Sequence, residues 1–287
     1  MTRRCSILLL VFLACGAWKE KSAFSQDPGV EESQGGAKTV VIGGRKTFDH
    51  RLWDQALRKF VDAEGLVDYA SFSKSKAFQN YLERLSKADA AGLENDKERL
   101  AFWINAYNAL TIQGVLKTLP QDQKAWREYS IKDQKVNGQT LWKGMKFKVG
   151  GGRWSLDEIE HEIIRKQDGL RDPRIHVALV CAARGCPPLW NRAYTGKEVD
   201  EQLASAMRRF VKNRKNCLID RDKRVIRISK VFEWYRKDFT DPGFSPRAES
   251  VAAFLAMSVD DPALSRTLRT YDWRLKYFDY DWKLNLQ

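Results

Sequence analysis

The stretch KERLAFWINAYNALTIQGVLKTLP, Lys97 to Pro120, limits what this chain can fold into more than any other segment. It has the length of a multi-turn helix and stops at a proline, yet apolar residues occupy nearly its whole circumference. A helix without a polar face needs neighbours on every side, so this one should be central and buried. Asn105 and Asn108 lie three residues apart, with Ile112 four beyond, which puts the two amides on one face. Buried amides cost stability unless bonded. Each must therefore have partners, either to tie the core together or, in a site, to orient an imidazole or donate to an oxyanion.

Other segments read as elements that surround such a helix. HRLWDQALRKFVDAEG places Leu52, Trp53, Ala56, Leu57, Phe60 and Val61 at helical spacing and ends at Gly65. SLDEIEHEIIRK opens with Ser155 as a cap and acids in its first turn, and sets Leu156, Ile159 and Ile163 on one side. RIHVALVC is a short apolar run that reads as a buried strand ending at the Gly185 and Pro187 breakers. Beyond it, VDEQLASAMRRFVKN and AESVAAFLAM read as helices, SKVFEWYRKDF as a helical turn or two, and KRVIRIS and LKYFDY as strands. Helices and strands do not alternate regularly. The expected class is therefore α+β, a single mixed domain with the central helix packed on a small sheet, rather than a doubly wound sheet.

The chain opens with Arg3 and Arg4 ahead of an apolar core from Ile7 to Ala14, then small residues at Ala23 and Ser25. That order is a secretory signal peptide over residues 1–25. The competing reading, a lipoprotein anchored at Cys15, fits Phe12 and Leu13 poorly. Residues 26–46, rich in Gly, Ser and Glu, read as a flexible linker, and 47–287 as the single domain. The expected location is secreted or periplasmic, with no transmembrane helix in the mature chain. The formal charge of +13 falls to +10 when residues 1–25 are removed. Basic residues are scattered rather than blocked, which suits a solvated surface able to meet an anionic cell-envelope polymer and carries no specific nucleic-acid motif.

Three cysteines remain in the mature chain, Cys181, Cys186 and Cys217. An odd number in an oxidising compartment leaves at least one thiol unpaired. Cys181, at the end of the expected strand, is the candidate nucleophile, with Cys186 and Cys217 as structural or disulfide candidates. A thiol needs a base or a positive field to react near neutral pH. His50 stands at the start of a surface helix and is the weakest candidate. His176, five residues before Cys181, would point to the opposite face of an ideal strand. His161 lies about 140° from the centre of its helix's apolar stripe, free to face a cleft, with Glu158 or Glu160 able to orient its ring.

Five ordered blocks, LAFWINAYNALTIQGVL, SLDEIEHEIIR, DPRIHVALVCAARGCPPL, SKVFEWYRKDF and YDWKLN, resemble the family named domain of unknown function 547, over about Asp68 to Asn285. The resemblance implies that Asn105, Asn108, Glu160, His161, His176, Cys181 and Cys186 belong to family motifs, and assigns none of them a role.

Two functions of different classes follow. One is a thiol hydrolase or acyltransferase of papain-like or transglutaminase-like logic, acting on a peptide or other carbonyl substrate, with Cys181 as nucleophile and His161 as base. The other is a non-enzymatic envelope module with a structural disulfide. A metal site on His176, Cys181 and Cys186 has spacing that matches no standard zinc knuckle, so no metal and no cofactor is expected.

Overall fold

The computed structural model describes residues 39–42 and 45–287. The expected signal peptide and most of the expected linker lie outside them. The described chain is α+β and falls within one compact unit, Ser33–Gln287. The end of the expected linker is ordered: β1 (Thr39–Ile42) pairs antiparallel with β2 (Arg45–Phe48). Helices α1 (Arg51–Phe60), α2 (Tyr69–Lys74) and α3 (Lys76–Ser86) follow, and then the long α4 (Asp96–Thr118).

The apolar circumference of α4 is matched by its surroundings. Residues 100–112 are buried without a break, and α2, α3, α7 (Val199–Lys212) and β2 all pack on the helix. Its ends are set locally. The Asn95 side chain accepts from the Glu98 N–H, acids fill the first turn, and Leu119 turns to extended backbone ahead of Pro120.

Short hairpins come next: β3 (Lys135–Val136) with β4 (Gln139–Thr140), and, beyond α5 (Leu141–Gly144), β5 (Phe147–Val149) with β6 (Gly152–Trp154). Three strands make the remaining sheet. β7 (Cys217–Asp220) pairs antiparallel with β8 (Val225–Ile228), which pairs parallel with β9 (Arg274–Tyr277). This sheet, together with α7 and α9 (Val251–Leu255), encloses a second hydrophobic core built on Phe210, Phe232, Phe239 and Phe254. Between β8 and α9 lies α8 (Val231–Trp234), and α10 (Pro262–Thr270) precedes β9.

Two segments depart from expectation. SLDEIEHEIIRK has the expected capping box, with Ser155 and Glu158 bonded reciprocally in α6 (Leu156–Glu158). It then widens into a π-helix over Ile159–Ile164, where the Arg165 N–H reaches back to the Glu160 carbonyl at 3.0 Å. RIHVALVC is not a strand. Asp172 and Pro173 start a 3₁₀ turn over Pro173–Val177, and the following backbone pairs with no strand. Asn108 takes the place of a strand partner, donating to the Ala178 carbonyl at 2.9 Å and accepting from the Val180 N–H at 2.9 Å. An amide side chain thus satisfies backbone groups that an apolar run would otherwise have to satisfy in a sheet.

Candidate functional site

A cleft of about 420 Å³ opens where the π-helix, the 176–187 loop, the start of α8 and the C-terminal tail converge. Its wall is aromatic, formed by Tyr107, Trp142, Trp234, Tyr235, Tyr280 and Trp282. Its polar lining includes Asp157, Glu160, His161 and His176, and Cys181 and Cys186 complete the loop side. The wider π turn carries Glu160 and His161 together to this edge; such turns recur at functional sites.

One charged chain runs behind the wall. Arg165 grips Asp238 with two bonds, Nε to Oδ2 at 2.6 Å and Nη2 to Oδ1 at 2.9 Å. Its Nη1 donates to His161 Nδ1 at 2.6 Å, which leaves the ring proton of a neutral His161 on Nε2, 3.8 Å from Asp157. His176 donates from Nε2 to Asp238 Oδ2 at 2.8 Å and turns Nδ1 toward Glu160 at 3.9 Å. Burial pushes the His176 imidazole below its ordinary pKa, so the ring is neutral at pH 7. Burial also works against the charge of Asp238, but the bonds from His176 and Arg165 prevail and hold its carboxyl down to about 2. The His176 ring stacks on Tyr235, centroids 3.8 Å apart, and the Arg165 guanidinium lies 5.1 Å from the centre of the same Tyr235 ring.

Glu160 has a different set of partners. It shares the cleft with Tyr107, Tyr235 and Tyr280, and burial followed by its negative charge drives all three phenols upward. All three tyrosines therefore remain hydrogen-bond donors.

The expected free thiol at Cys181 is corrected here: Cys181 and Cys186 form a disulfide, and a sulfur so bonded is no thiolate nucleophile. The Tyr280 hydroxyl lies 3.1 Å from both sulfurs, and the Cys181 N–H donates to the Cys186 sulfur at 3.0 Å. The neighbouring Ala182 takes a left-handed φ of 67°, a costly conformation for alanine. The C-terminal tail pins this loop, bonding Asn285 to Ala182, Arg184 to Lys283 and Gly185 to Asp281. A Cβ on Gly185 would lie 2.9 Å from the Asp281 nitrogen, so only glycine permits that approach. Cys217, expected as a disulfide candidate, is instead the free cysteine among the described residues, and burial raises its thiol to about 12.

The remaining expected residues divide plainly. His161, His176 and Glu160 meet in the cleft. Glu158 does not orient His161; it completes the capping box and pairs with Lys146. His50 is not on a surface but 7% exposed in the aromatic core, bonded to Tyr81. Asn105 and Asn108 touch no imidazole. Asn105 bonds both ways to Tyr194 backbone, at 2.7 and 2.9 Å, while Asn108 holds the backbone leading into Cys181. No group of three His, Cys, Asp or Glu among the described residues is arranged to hold a metal, and no described helix is long and apolar enough to cross a membrane.

Residues 91–211 match the family model described as Protein of unknown function, DUF547. That match assigns the segment 91–211 to the domain of unknown function 547 family. No curated protein and no solved structure matches the chain. The matched segment supplies Tyr107, Asp157, Glu160, His161, His176 and the disulfide, while Trp234, Tyr235, Asp238, Tyr280 and Trp282 come from beyond it. These later residues escape a search for catalytic residue types, although SKVFEWYRKDF and YDWKLN already show dense aromatics around an acid.

Proposed function

We propose that this protein is a small-ligand binding module, exported to an oxidising compartment, in which the Cys181–Cys186 disulfide clamps one wall of the cleft. The observation that carries the reading is the coincidence in one cleft of six aromatic side chains, partnered acids and imidazoles, and a cysteine pair already bonded to each other. Concave, mostly apolar sites with few placed polar groups are the usual form of ligand pockets. Paired cysteines suit secreted chains. The basic exterior would meet an anionic envelope polymer, separately from the cleft.

A second reading has its own support. His176 held by Asp238 at 2.8 Å is the imidazole and orienting carboxylate that a thiol hydrolase or acyltransferase requires. Reduction of the disulfide by an external dithiol would release Cys181 to attack a carbonyl carbon, forming a thioester and expelling the leaving group. His176, His161 or Glu160 would then handle its proton.

Activated-ester turnover separates the two. A binding module releases no burst of leaving group from an activated ester, with or without reductant, and its oxidised form gains thermal stability from ligands. A reductant-dependent burst that Cys181→Ser abolishes would establish the thiol enzyme instead.

A further inference from the structure

The cleft opposes the charge of the chain that builds it. The sequence carries 50 Lys and Arg against 37 Asp and Glu, yet among the described residues no lysine or arginine lines the cleft, while Asp157 and Glu160 do. The nearby positive groups are already engaged. Arg165 is committed to Asp238 and His161, Lys146 to Glu158, and Lys143 lies 3.9 Å from Asp157. Glu160 is the exception. It is 8% exposed, the cleft around it is lined by the neutral tyrosines Tyr107, Tyr235 and Tyr280, and the one ion-pairing group within 4 Å among the described residues is His176, a ring that burial keeps uncharged.

Around that carboxylate the aromatic rings form a connected wall. Trp234 and Trp282 stack with centroids 5.8 Å apart, Tyr280 lies 4.8 Å from Trp234 and 4.5 Å from Trp282, and Trp142 meets Trp282 edge-on at 6.2 Å. Ring faces attract cations within about 6 Å of the centroid. This wall already does so: Lys132 lies over Trp282 at 5.6 Å and Arg165 over Tyr235 at 5.1 Å. Trp234, 47% exposed, stands at the mouth with a large apolar ring in water.

We propose that the ligand of this cleft carries an organic ammonium group, seated against the aromatic wall with Glu160 as its counter-ion. The proposal rests on the binding reading above and names the class of ligand. A neutral polyol would gain from the rings but leave Glu160 uncompensated, and an anion would face both lining carboxylates. An ammonium group answers both features, since its charge meets Glu160 and its alkyl groups meet the rings. The large positive field outside the cleft would slow the entry of such a ligand, so affinity must come from the cleft itself.

The test uses the oxidised mature protein and three probes followed by calorimetry at one ionic strength: choline, its uncharged carbon isostere 3,3-dimethylbutan-1-ol, and the neutral trisaccharide maltotriose. Choline should bind at least about tenfold more tightly than the isostere. Glu160→Gln removes the charge at nearly constant volume and should weaken choline at least about tenfold, and Trp234→Ala should weaken it several-fold. Equal binding of choline and the isostere would overturn the proposal on the wild-type protein alone, even where Glu160→Gln does not fold. So would full choline affinity in a folded Glu160→Gln variant. Binding of maltotriose without choline would overturn the ammonium class and leave the binding reading standing. Absence of all binding overturns the proposal, and the reductant-dependent ester burst then decides whether the binding reading falls with it.

Discussion

His176 and His50 are both removed from water, at 3% and 7% exposure, and their surroundings differ in kind. His50 sits among Phe48, Tyr81 and Phe102, has one bond to Tyr81, and leaves Nε2 buried without a partner. His176 has Asp238 on one nitrogen, Glu160 near the other, Tyr235 against its face, and the open cleft beside it. Burial lowers the pKa of both, His50 to about 3. A depressed imidazole is therefore no mark of a site. What separates the two regions is wiring: the core tolerates an orphaned nitrogen, while the cleft binds its imidazoles into a chain of charges that ends at empty space.

The largest way to break that contrast is Asp238→Ala. It removes the partner of a half-buried Arg165 and of His176 at once, and should cost about 3 kcal/mol or more in urea denaturation. A loss near that of an average surface substitution would mean the chain behind the cleft is not a coupled network. Asn108→Leu and Asn105→Leu should each cost about 1–3 kcal/mol, because backbone groups on their partners lose their bonds. Only Asn108→Leu should also weaken ligand binding, since Asn108 holds the backbone entering Cys181. Equal effects on binding would erase the distinction between the two amides.

Acid sharpens the comparison from the other side. The unfolded chain takes up a proton on His50 near pH 6.5 that the folded chain refuses until about 3, so stability is present above 6.5 and is lost as pH falls through that window. The slope is about 1.4 kcal/mol per pH unit for one such group. His176 adds in the same direction. His50→Phe should flatten denaturation midpoints measured between pH 7 and 4.5, and an unchanged slope would show that His50 is not kept neutral. The smallest effect belongs to Trp234→Ala, within about 1 kcal/mol of the parent because the ring is about half exposed at the rim. A larger loss would make the rim of the cleft part of the core.

The difference between core and cleft also governs what the sequence revealed. The central helix was legible because an unbroken apolar circumference has one physical outcome, and Ser155 with Glu158 was legible as a local cap. His161 was placed at a cleft from periodicity alone, although a 3.6-residue turn was assumed where a π turn stands, and Glu160 was singled out by the family resemblance. RIHVALVC misled because an apolar run shows burial and not backbone pairing; Asn108, some 70 residues earlier, supplies the bonds a sheet would have given. Asp238 and Tyr280 were invisible as site residues for the same reason, since their partners His176 and Cys181 are 62 and 99 positions away. Cys181 and Cys186 were both singled out, but spacing cannot tell a thiol from half of a disulfide.

The state of that pair decides between a clamp and a nucleophile. The native protein should be alkylated under denaturing conditions without reductant, digested, and read by mass spectrometry. A clamped cleft requires a Cys181–Cys186 cross-linked peptide, with Cys217 the one alkylated thiol among these three cysteines. Recovery of Cys181 in alkylated form, with no cross-link to Cys186, would contradict the clamp and return the cleft to thiol chemistry.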